Sequence, residues 1–200
     1  MVSDRGQIHT LEAFIAALLL VGALLFASQA TAVTPLSAST ANQHIENQQQ
    51  TVANDVLAIT AANGSLQEAL IHWNTSSDNG HFEGSRPDIT HYTGTPPDDT
   101  PLYPALNQAF ESGVHAYNIE LRTVDEHGDF ETTRMIYMGT PSDNAVTART
   151  TVILYEDDRT QEDSTLAELA ESNDFWVEPH PDANGSTYTA VEVRLTVWRM

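Results

Sequence analysis

Residues 11–33 read LEAFIAALLLVGALLFASQATAV and decide how the rest of the chain is organised. From Ala13 to Ala27 every side chain is apolar or glycine, and no acidic or basic residue follows until Glu46. A helix from Ala13 to Val33 would be about 31 Å long at ~1.5 Å per residue, close to the ~30 Å hydrocarbon core of a bilayer. The sequence therefore predicts a hydrophobic helix over residues 7–33 that spans a membrane.

Two other interpretations of this apolar segment stay open. A cleaved secretory signal is favoured by Ala30-Thr31-Ala32, which fits the small-residue cleavage pattern. Its flank argues against it, because MVSDR has one Arg offset by one Asp and Glu12 stands directly before the apolar run. A pilin-like helix, cut at its cytoplasmic end and packed into a filament, fits as well. A buried helix of a soluble protein is disfavoured, because the segment has no polar face.

The flanks of the segment predict its orientation. Arg5 is the only base before the apolar run, and the next base is Arg86. By the positive-inside rule, residues 1–6 form a short cytoplasmic leader and everything beyond the helix is exported. We therefore expect a single-pass protein of the cell membrane, in contact with lipid, with an extracytoplasmic head.

Glu12 has two candidate roles. With Thr10 as cap, Glu12 lies in the first helical turn, where the helix dipole favours a carboxylate. Alternatively, Glu12 pairs with a positive charge of a neighbouring subunit, because a charge held away from water must be paired. The residues alone favour neither role over the other.

Downstream of the apolar segment, residues 34–62 are polar, with Ile45, Val52 and Ile59 recurring every seven residues. This pattern predicts a polar helical stalk that continues the membrane helix outward and ends at Asn63-Gly64. Residues 63–200 form an acidic head. In it, Ser65 to Glu68 has the form of a capping box that starts a short helix, and Thr100-Pro101 starts another.

Four segments of the head alternate or cluster apolar residues in the manner of strands: 117–122, 130–138, 145–155 and 187–199. Val152, Ile153 and Leu154 are expected to be buried on both faces. The predicted fold class is α+β, with short helices packed on one face of a four-stranded, mainly antiparallel sheet.

The charge balance is extreme, with 28 acidic residues against 8 basic ones and a net charge of −20. All the bases are Arg, since Lys is absent. Self-repulsion at this charge opposes the compact state, and concentrated salt screens it. The composition favours a halophilic protein. It argues against a nucleic-acid partner, because no basic patch is present to neutralise phosphates. The absence of Cys excludes disulfides and thiolate chemistry.

No pattern in the chain indicates a catalytic, cofactor or metal site. The eight His residues, at 9, 44, 72, 81, 91, 115, 127 and 180, include no pair with zinc spacing. We expect no enzyme activity and no cofactor. Three N-glycosylation sequons begin at Asn63, Asn74 and Asn184, all on the side of the helix expected to be exported.

Arg5-Gly6-Gln7, followed by His9-Thr10-Leu11-Glu12-Ala13 and the apolar run, resembles the class III signal segments of archaeal type IV pilin-like proteins. The resemblance implies that a prepilin peptidase cuts between Gly6 and Gln7, with Arg5 recognised and Glu12 used in assembly with other pilin-like subunits. In the common pattern Glu is fifth in the mature subunit, whereas Glu12 would be sixth. RGQIHTLEAF, TAVTPLSASTANQHIENQQQ and VEVRLTVWR also resemble a haloarchaeal group of uncharacterised pilin-like membrane proteins.

The sequence thus leads to one hypothesis and two alternatives. The first is a pilin-like structural subunit, minor in abundance, of a cell-surface filament or related assembly such as a type IV pilus. The second is a single-pass anchored protein whose head binds a ligand outside the cell. The third, an anchored or secreted hydrolase, has only the long loops in its favour.

The charge balance predicts how stability depends on salt. The isolated head, residues 36–200, should show a melting temperature that rises between about 0.1 and 3 M salt, because screening weakens the self-repulsion of its acidic surface. Thermal melts across that range test this. A melting temperature that stays flat or falls would count against halophilic adaptation.

Overall fold

A computed structural model of the chain describes residues 3–75, 80–86, 88–110, 113–125, 127–180 and 185–200, without the side chains of residues 3–8 and 29–42. The helices are α1 (Ser3–Ala62), α2 (Ser65–Leu70), α3 (Tyr103–Phe110) and α4 (Leu166–Ser172). The strands are β1 (Trp73–Asn74), β2 (His81–Phe82), β3 (His115–Val124), β4 (Phe130–Tyr137), β5 (Val146–Tyr155) and β6 (Thr187–Arg199).

The chain divides into two compact units, Met1–Ile45 and Glu46–Met200. In the first unit, the described residues are helical and belong to α1. In the second unit, the last turns of α1 bury Ala53, Val56 and Leu57 in a core shared with the sheet. Residues 34–62, which the sequence assigns to a stalk, are thus helical, and residues 46–62 belong to the same unit as the sheet.

The second unit is built on an antiparallel sheet with strand order β4-β3-β6-β5. This confirms the expected α+β class and the four-stranded antiparallel sheet. The long central pair is in register from His115 opposite Arg199 to Arg122 opposite Glu192. A bulge at Met135 shifts the register of β4 against β3. Trp73–Asn74 and His81–Phe82 form an additional two-stranded sheet that no sequence pattern predicted.

β4 and β5 occupy opposite edges of the sheet, so residues 138–145 must cross from one edge to the other. Asn118 on the central strand β3 holds this connection with its side-chain amide. Its Nδ2 donates to the carbonyl oxygen of Gly139 at 2.9 Å, and its Oδ1 accepts from the backbone N–H of Met138 at 2.9 Å. Asn118 is 3% exposed, and both the nitrogen and the oxygen of its side-chain amide form hydrogen bonds within the protein.

One face of the sheet carries the core. The odd-numbered residues of β3 and β6, including Ile119, Leu121, Val193 and Leu195, belong to one apolar cluster. The buried side chains of α2, α3 and α4 belong to the same cluster. The helices of this unit therefore pack on a single face of the sheet, as the alternation in the strands predicts.

Three local predictions are wrong. Thr100-Pro101 does not start a helix, because α3 begins at Tyr103 and Thr100 Oγ1 donates to the carbonyl oxygen of Pro97. Ser65 does not cap α2, because the N-cap position is held by Gly64 at φ +83° and no side chain bonds there. A capping box exists instead at α4, where Thr165 Oγ1 accepts from the Glu168 N–H and the Glu168 carboxylate accepts from the Thr165 N–H. Ile153 is not buried but 45% exposed, because β5 is an edge strand covered on one face only.

Gly80 allows the two-stranded sheet of β1 and β2 to pack on the core. Its φ is +58°, and a Cβ built on it would lie 2.6 Å from Cζ2 of Trp73. The Trp73 ring has little freedom to retreat, because its Nε1 donates to the carbonyl oxygen of Asp174 at 2.9 Å and its edge contacts Phe82. A side chain at residue 80 would therefore combine backbone strain with a steric clash.

Gly80→Ala should lower the free energy of unfolding by about 2 kcal/mol or more, since both the left-handed backbone and the clash are penalised. Gly94→Ala is the matched control, because Gly94 has no positive φ and a Cβ added to it would meet no atom within 4 Å. Chemical denaturation monitored by tryptophan fluorescence measures both variants. Equal stability of the two variants would contradict the role assigned to Gly80.

Candidate functional site

The segment His9–Ser28 is the most unusual surface in the part of the chain that the structure describes. It is 20 residues long, it is apolar enough to cross a membrane by length and composition, and none of it is buried. Its ten large apolar side chains are each at least half exposed, from Ile15 at 50% to Phe26 at 77%. A helix that is apolar on every side needs a membrane or other helices around it.

Glu12 lies near the start of this segment and is beside a second titratable residue. Its Oε2 lies 3.7 Å from Nδ1 of His9, one helical turn earlier, and both side chains are nearly 80% exposed. Such an exposed pair adds little to stability. Sequence reasoning treated Glu12 alone and missed His9 as its neighbour, although the three-residue spacing is visible in the sequence.

The proposed processing residues Arg5, Gly6 and Gln7 lie in α1, within the described backbone. Their side chains fall outside the described residues. The expected cut and Glu12 therefore lie on the same helix, within two turns of each other.

The three sequons differ in what surrounds their asparagines. Asn63 is exposed after the last turn of α1, and its Oδ1 accepts from the N–H of Ser65 at 2.9 Å, which leaves Nδ2 toward solvent. Asn74 is half-buried in β1, and its Nδ2 donates to the carboxylate of Glu83. Asn184 lies outside the described residues. Since a glycan is attached to Nδ2, Asn63 is the better presented of the two described sites.

The histidines do not converge on a metal site in the described part of the chain, where no group of three His, Asp or Glu side chains comes together. His72 is instead a core residue at 4% exposure, and its Nδ1 lies 2.9 Å from the side-chain nitrogen of Gln161. Burial lowers the pKa of His72, against the opposing charges of Glu83, Asp99 and Glu68. Neutral His72 thus accepts a hydrogen bond from the Gln161 amide.

A surface cleft of about 270 Å³ lies beside α4. Its lining combines apolar side chains with two polar ones: Leu169, Ala170, Asn173, Phe175, Val177, Glu178, Pro179 and Tyr188. The hydroxyl proton of Tyr188 is not available to a ligand in the cleft, because the hydroxyl donates to the carbonyl oxygen of Val177 at 2.7 Å. This volume is at the lower end for a small-molecule site, and only Glu178 brings a charge.

The sheet face opposite the helices carries a charge pattern that sequence reasoning missed. Four of the eight Arg residues of the chain lie on it, one on each strand, together with two Glu residues. We call this set the Arg face; it consists of Arg122, Arg134, Arg149, Arg194, Glu120 and Glu192. Each strand shows the alternation that puts these residues on one side, but only the strand order and register reveal that they share a face.

Within the Arg face the guanidinium groups outnumber the carboxylates. Glu192 Oε1 lies 3.5 Å from Nη1 of Arg122 and 3.8 Å from Nε of Arg194, so one carboxylate serves two Arg side chains. Arg149 is directly opposite Arg194 in the register and forms no ion pair among the described residues. Arg122 lies over the ring of Phe130, and Arg134 over that of Tyr137, each at 4.4 Å from the ring centroid.

A family model described as a family of unknown function (DUF7288) matches residues 5–197. Because the match covers nearly the whole chain, the protein belongs to that family. No curated protein and no solved structure matches the chain. The family match extends from the apolar segment through the last strand of the sheet and brings no known activity with it.

The lowered pKa of His72 predicts a pH dependence. In the unfolded chain His72 binds a proton near pH 6.5, whereas in the folded chain its pKa is lower. As the pH falls below 6.5, proton binding therefore favours the unfolded state, and the stability that neutral His72 contributes is lost. His72→Gln should therefore lose less stability than the wild type between pH 7.5 and 5. The measurement is a series of thermal melts. His44→Gln, at an exposed position, is the control and should follow the wild type.

The sequon geometry predicts where sugar is attached if the head is exported. Mass spectrometry of the protein from its native host should find glycan on Asn63 in preference to Asn74, and Asn63→Gln should remove that mass. Glycan on Asn74 with an unmodified Asn63 would contradict the accessibility argument. A chain without glycan would contradict the glycosylation prediction but not the proposed export of the head.

Proposed function

We propose that this member of the DUF7288 family is a pilin-like structural subunit, minor in abundance, of a cell-surface filament or related assembly in a halophile. The observation that carries the proposal is the fully exposed apolar segment His9–Ser28, preceded by Arg5-Gly6-Gln7 and headed by Glu12. In this proposal the segment anchors the chain in the cell membrane with its N-terminus in the cytoplasm, and the head lies outside the cell.

In this proposal a prepilin peptidase cuts between Gly6 and Gln7 and creates a new amine at the membrane edge. The amine lies about five residues from Glu12, on the same helix. When apolar segments of several subunits pack side by side, the amine of one subunit meets Glu12 of the next. The exposure of Glu12 in a single copy supports this role, because its carboxylate is accessible to a neighbour.

The proposal uses both parts of the chain. The apolar segments provide the lateral contacts between subunits, with membrane lipid as their environment before assembly. The acidic head remains folded and soluble outside the membrane, where its net negative charge suits concentrated salt. Neither catalysis nor a cofactor has a part in it.

An alternative function is that of a single-pass anchored protein that binds a ligand outside the cell and forms no filament. The cleft of about 270 Å³ beside α4 is the observation in its favour. A plain anchor requires no cut, and Glu12 then sits at the interface where its loss costs little. The two functions therefore make opposite forecasts for the N-terminus and for Glu12.

The filament proposal predicts that the mature chain begins at Gln7 and that Glu12→Gln blocks assembly. Loss of this carboxylate would strand the amine of the neighbour away from water, at a cost of about 3–5 kcal/mol. Glu12→Gln should still be membrane-bound and folded. Glu46→Gln, at the next acidic residue along the chain, is the control and should assemble normally.

N-terminal sequencing of the membrane-extracted protein, with electron microscopy of surface filaments, makes these measurements. A chain that begins at Met1 or Val2 would end the filament proposal and leave the plain anchor. A chain that begins at Val33 would make the protein secreted. Substitution of Arg5 or Gly6 should abolish the cut if the proposed peptidase is responsible.

A further inference from the structure

The Arg face is the one basic surface we find on the described part of an otherwise strongly acidic chain. Its four guanidinium groups against two carboxylates give it a net charge of +2, whereas the whole chain has a net charge of −20. Half of all Arg residues are therefore gathered on one side of one sheet. A random distribution over an acidic surface would scatter them among the carboxylates.

Arg122 and Arg194 share the carboxylate of Glu192, whereas Arg134 and Arg149 are exposed and form no ion pair in the described part of the chain. The rings of Phe130 and Tyr137 support two of them by cation–π contact, which restricts their motion before any partner arrives. The face combines Arg with two aromatic rings, the 67% exposed Phe130 and the half-buried Tyr137, a composition typical of interface hot spots.

No helix of this unit covers the Arg face in the part of the chain that the structure describes. The buried residues of α2, α3 and α4 belong to the cluster on the opposite side of the sheet. Arg134 and Arg149, on the two edge strands, are exposed. The connection at residues 138–139 covers one end of this side of the sheet, where it is bound by Asn118. The remainder, with Arg134 and Arg149 at its two edges, is a charged surface open to a partner.

The chain carries such a complement on and around α4. The segment 156–178 contains nine acidic residues and one Arg. Five of its exposed carboxylates belong to Glu156, Asp157, Glu171, Asp174 and Glu178. Because the buried side chains of α4 belong to the core, α4 lies on the opposite layer of the sheet from the Arg face.

We propose that the Arg face binds the acidic flank of α4 in a second copy of this chain. The two surfaces lie on opposite layers of the same unit and have opposite charge, so the contact is head-to-tail rather than symmetric. A head-to-tail contact leaves one free surface at each end and can propagate from copy to copy. This goes beyond the membrane-helix contacts proposed above, since it assigns a separate interface to the head.

The proposed contact is compatible with concentrated salt. At 1 M salt the Debye length is about 3 Å, so long-range attraction is screened but guanidinium and carboxylate groups in direct contact still bind. Salt should therefore slow association more than it weakens the formed contact. The aromatic rings on the face add contact area that salt does not screen.

The absence of Cys makes a crosslinking test clean, because only introduced thiols react. Thr151 is exposed on the Arg side of β5, and Ala167 is exposed on α4 one turn before Glu171. Full-length chains with Thr151→Cys and with Ala167→Cys are produced together in membranes and treated with a flexible bismaleimide. We expect crosslinked dimers in the mixture and none when either chain is present alone.

Charge reversal tests whether the Arg face itself is responsible. Arg149→Glu in the Thr151→Cys chain should lower the dimer yield by about tenfold, equivalent to the loss of one contact pair. Glu171→Arg in the Ala167→Cys chain should restore it. Arg86→Glu, which reverses an exposed Arg away from the Arg face, is the control and should leave the yield unchanged. Arg134→Glu, on the other edge strand, repeats the test if thermal melts show that Arg149→Glu fails to fold.

Three results would overturn the proposal. The first is a mixture without crosslinked dimers, in low or high salt. The second is a dimer from the Thr151→Cys chain alone, which would indicate a symmetric contact between two Arg faces. The third is a yield of crosslinked dimer that does not fall with Arg149→Glu or is not restored by Glu171→Arg. Because the same samples are sequenced at the N-terminus, an uncut chain that still crosslinks would refute the processing proposal while retaining this interface.

Discussion

The apolar side chains of His9–Ser28 must be removed from water, and the behaviour of the whole molecule depends on that requirement. Ten large apolar residues in this segment are at least half exposed. Burial of a Leu or Phe side chain is worth about 1.5–3 kcal/mol, so leaving ten of them in water costs on the order of 20 kcal/mol. This exceeds the ~5–15 kcal/mol that stabilises a typical domain. The segment is long and apolar enough to cross a membrane, and a bilayer would remove these side chains from water.

The second unit buries its own apolar core. Its sheet buries one face under the helices, and Asn118 holds the connection that crosses between the edge strands. The groups of this unit that remain exposed without a partner layer are charged rather than apolar. They are the Arg face on one side of the sheet and the carboxylates around α4 on the other. The two contacts between copies that we propose would have different physical causes, apolar in the first unit and ionic in the second. An assembly built on both would tolerate changes in salt that weaken only one of them.

Local patterns predicted individual elements well. β6 runs from Thr187 to Arg199, as its strict alternation predicts. The errors arise where tertiary context overrides a local signal. Ser65 has the sequence of a helix cap, but Gly64 in the left-handed conformation directly precedes it. Ile153 lies in an apolar run, but edge position and one-sided packing expose it. The Arg face depends on register between strands distant in sequence, which no local pattern encodes.

The most direct test of membrane anchoring is the chemical accessibility of the apolar segment and the head in intact cells. Since the chain has no Cys, Leu19→Cys and Thr140→Cys each provide a single thiol for a membrane-impermeant maleimide. We predict that Thr140→Cys is labelled without lysis, whereas Leu19→Cys reacts only after denaturation in detergent. Labelling of Leu19→Cys in intact or gently lysed cells would contradict this prediction by placing the segment in water. Labelling of Thr140→Cys only after lysis would place the head in the cytoplasm and contradict the proposed orientation.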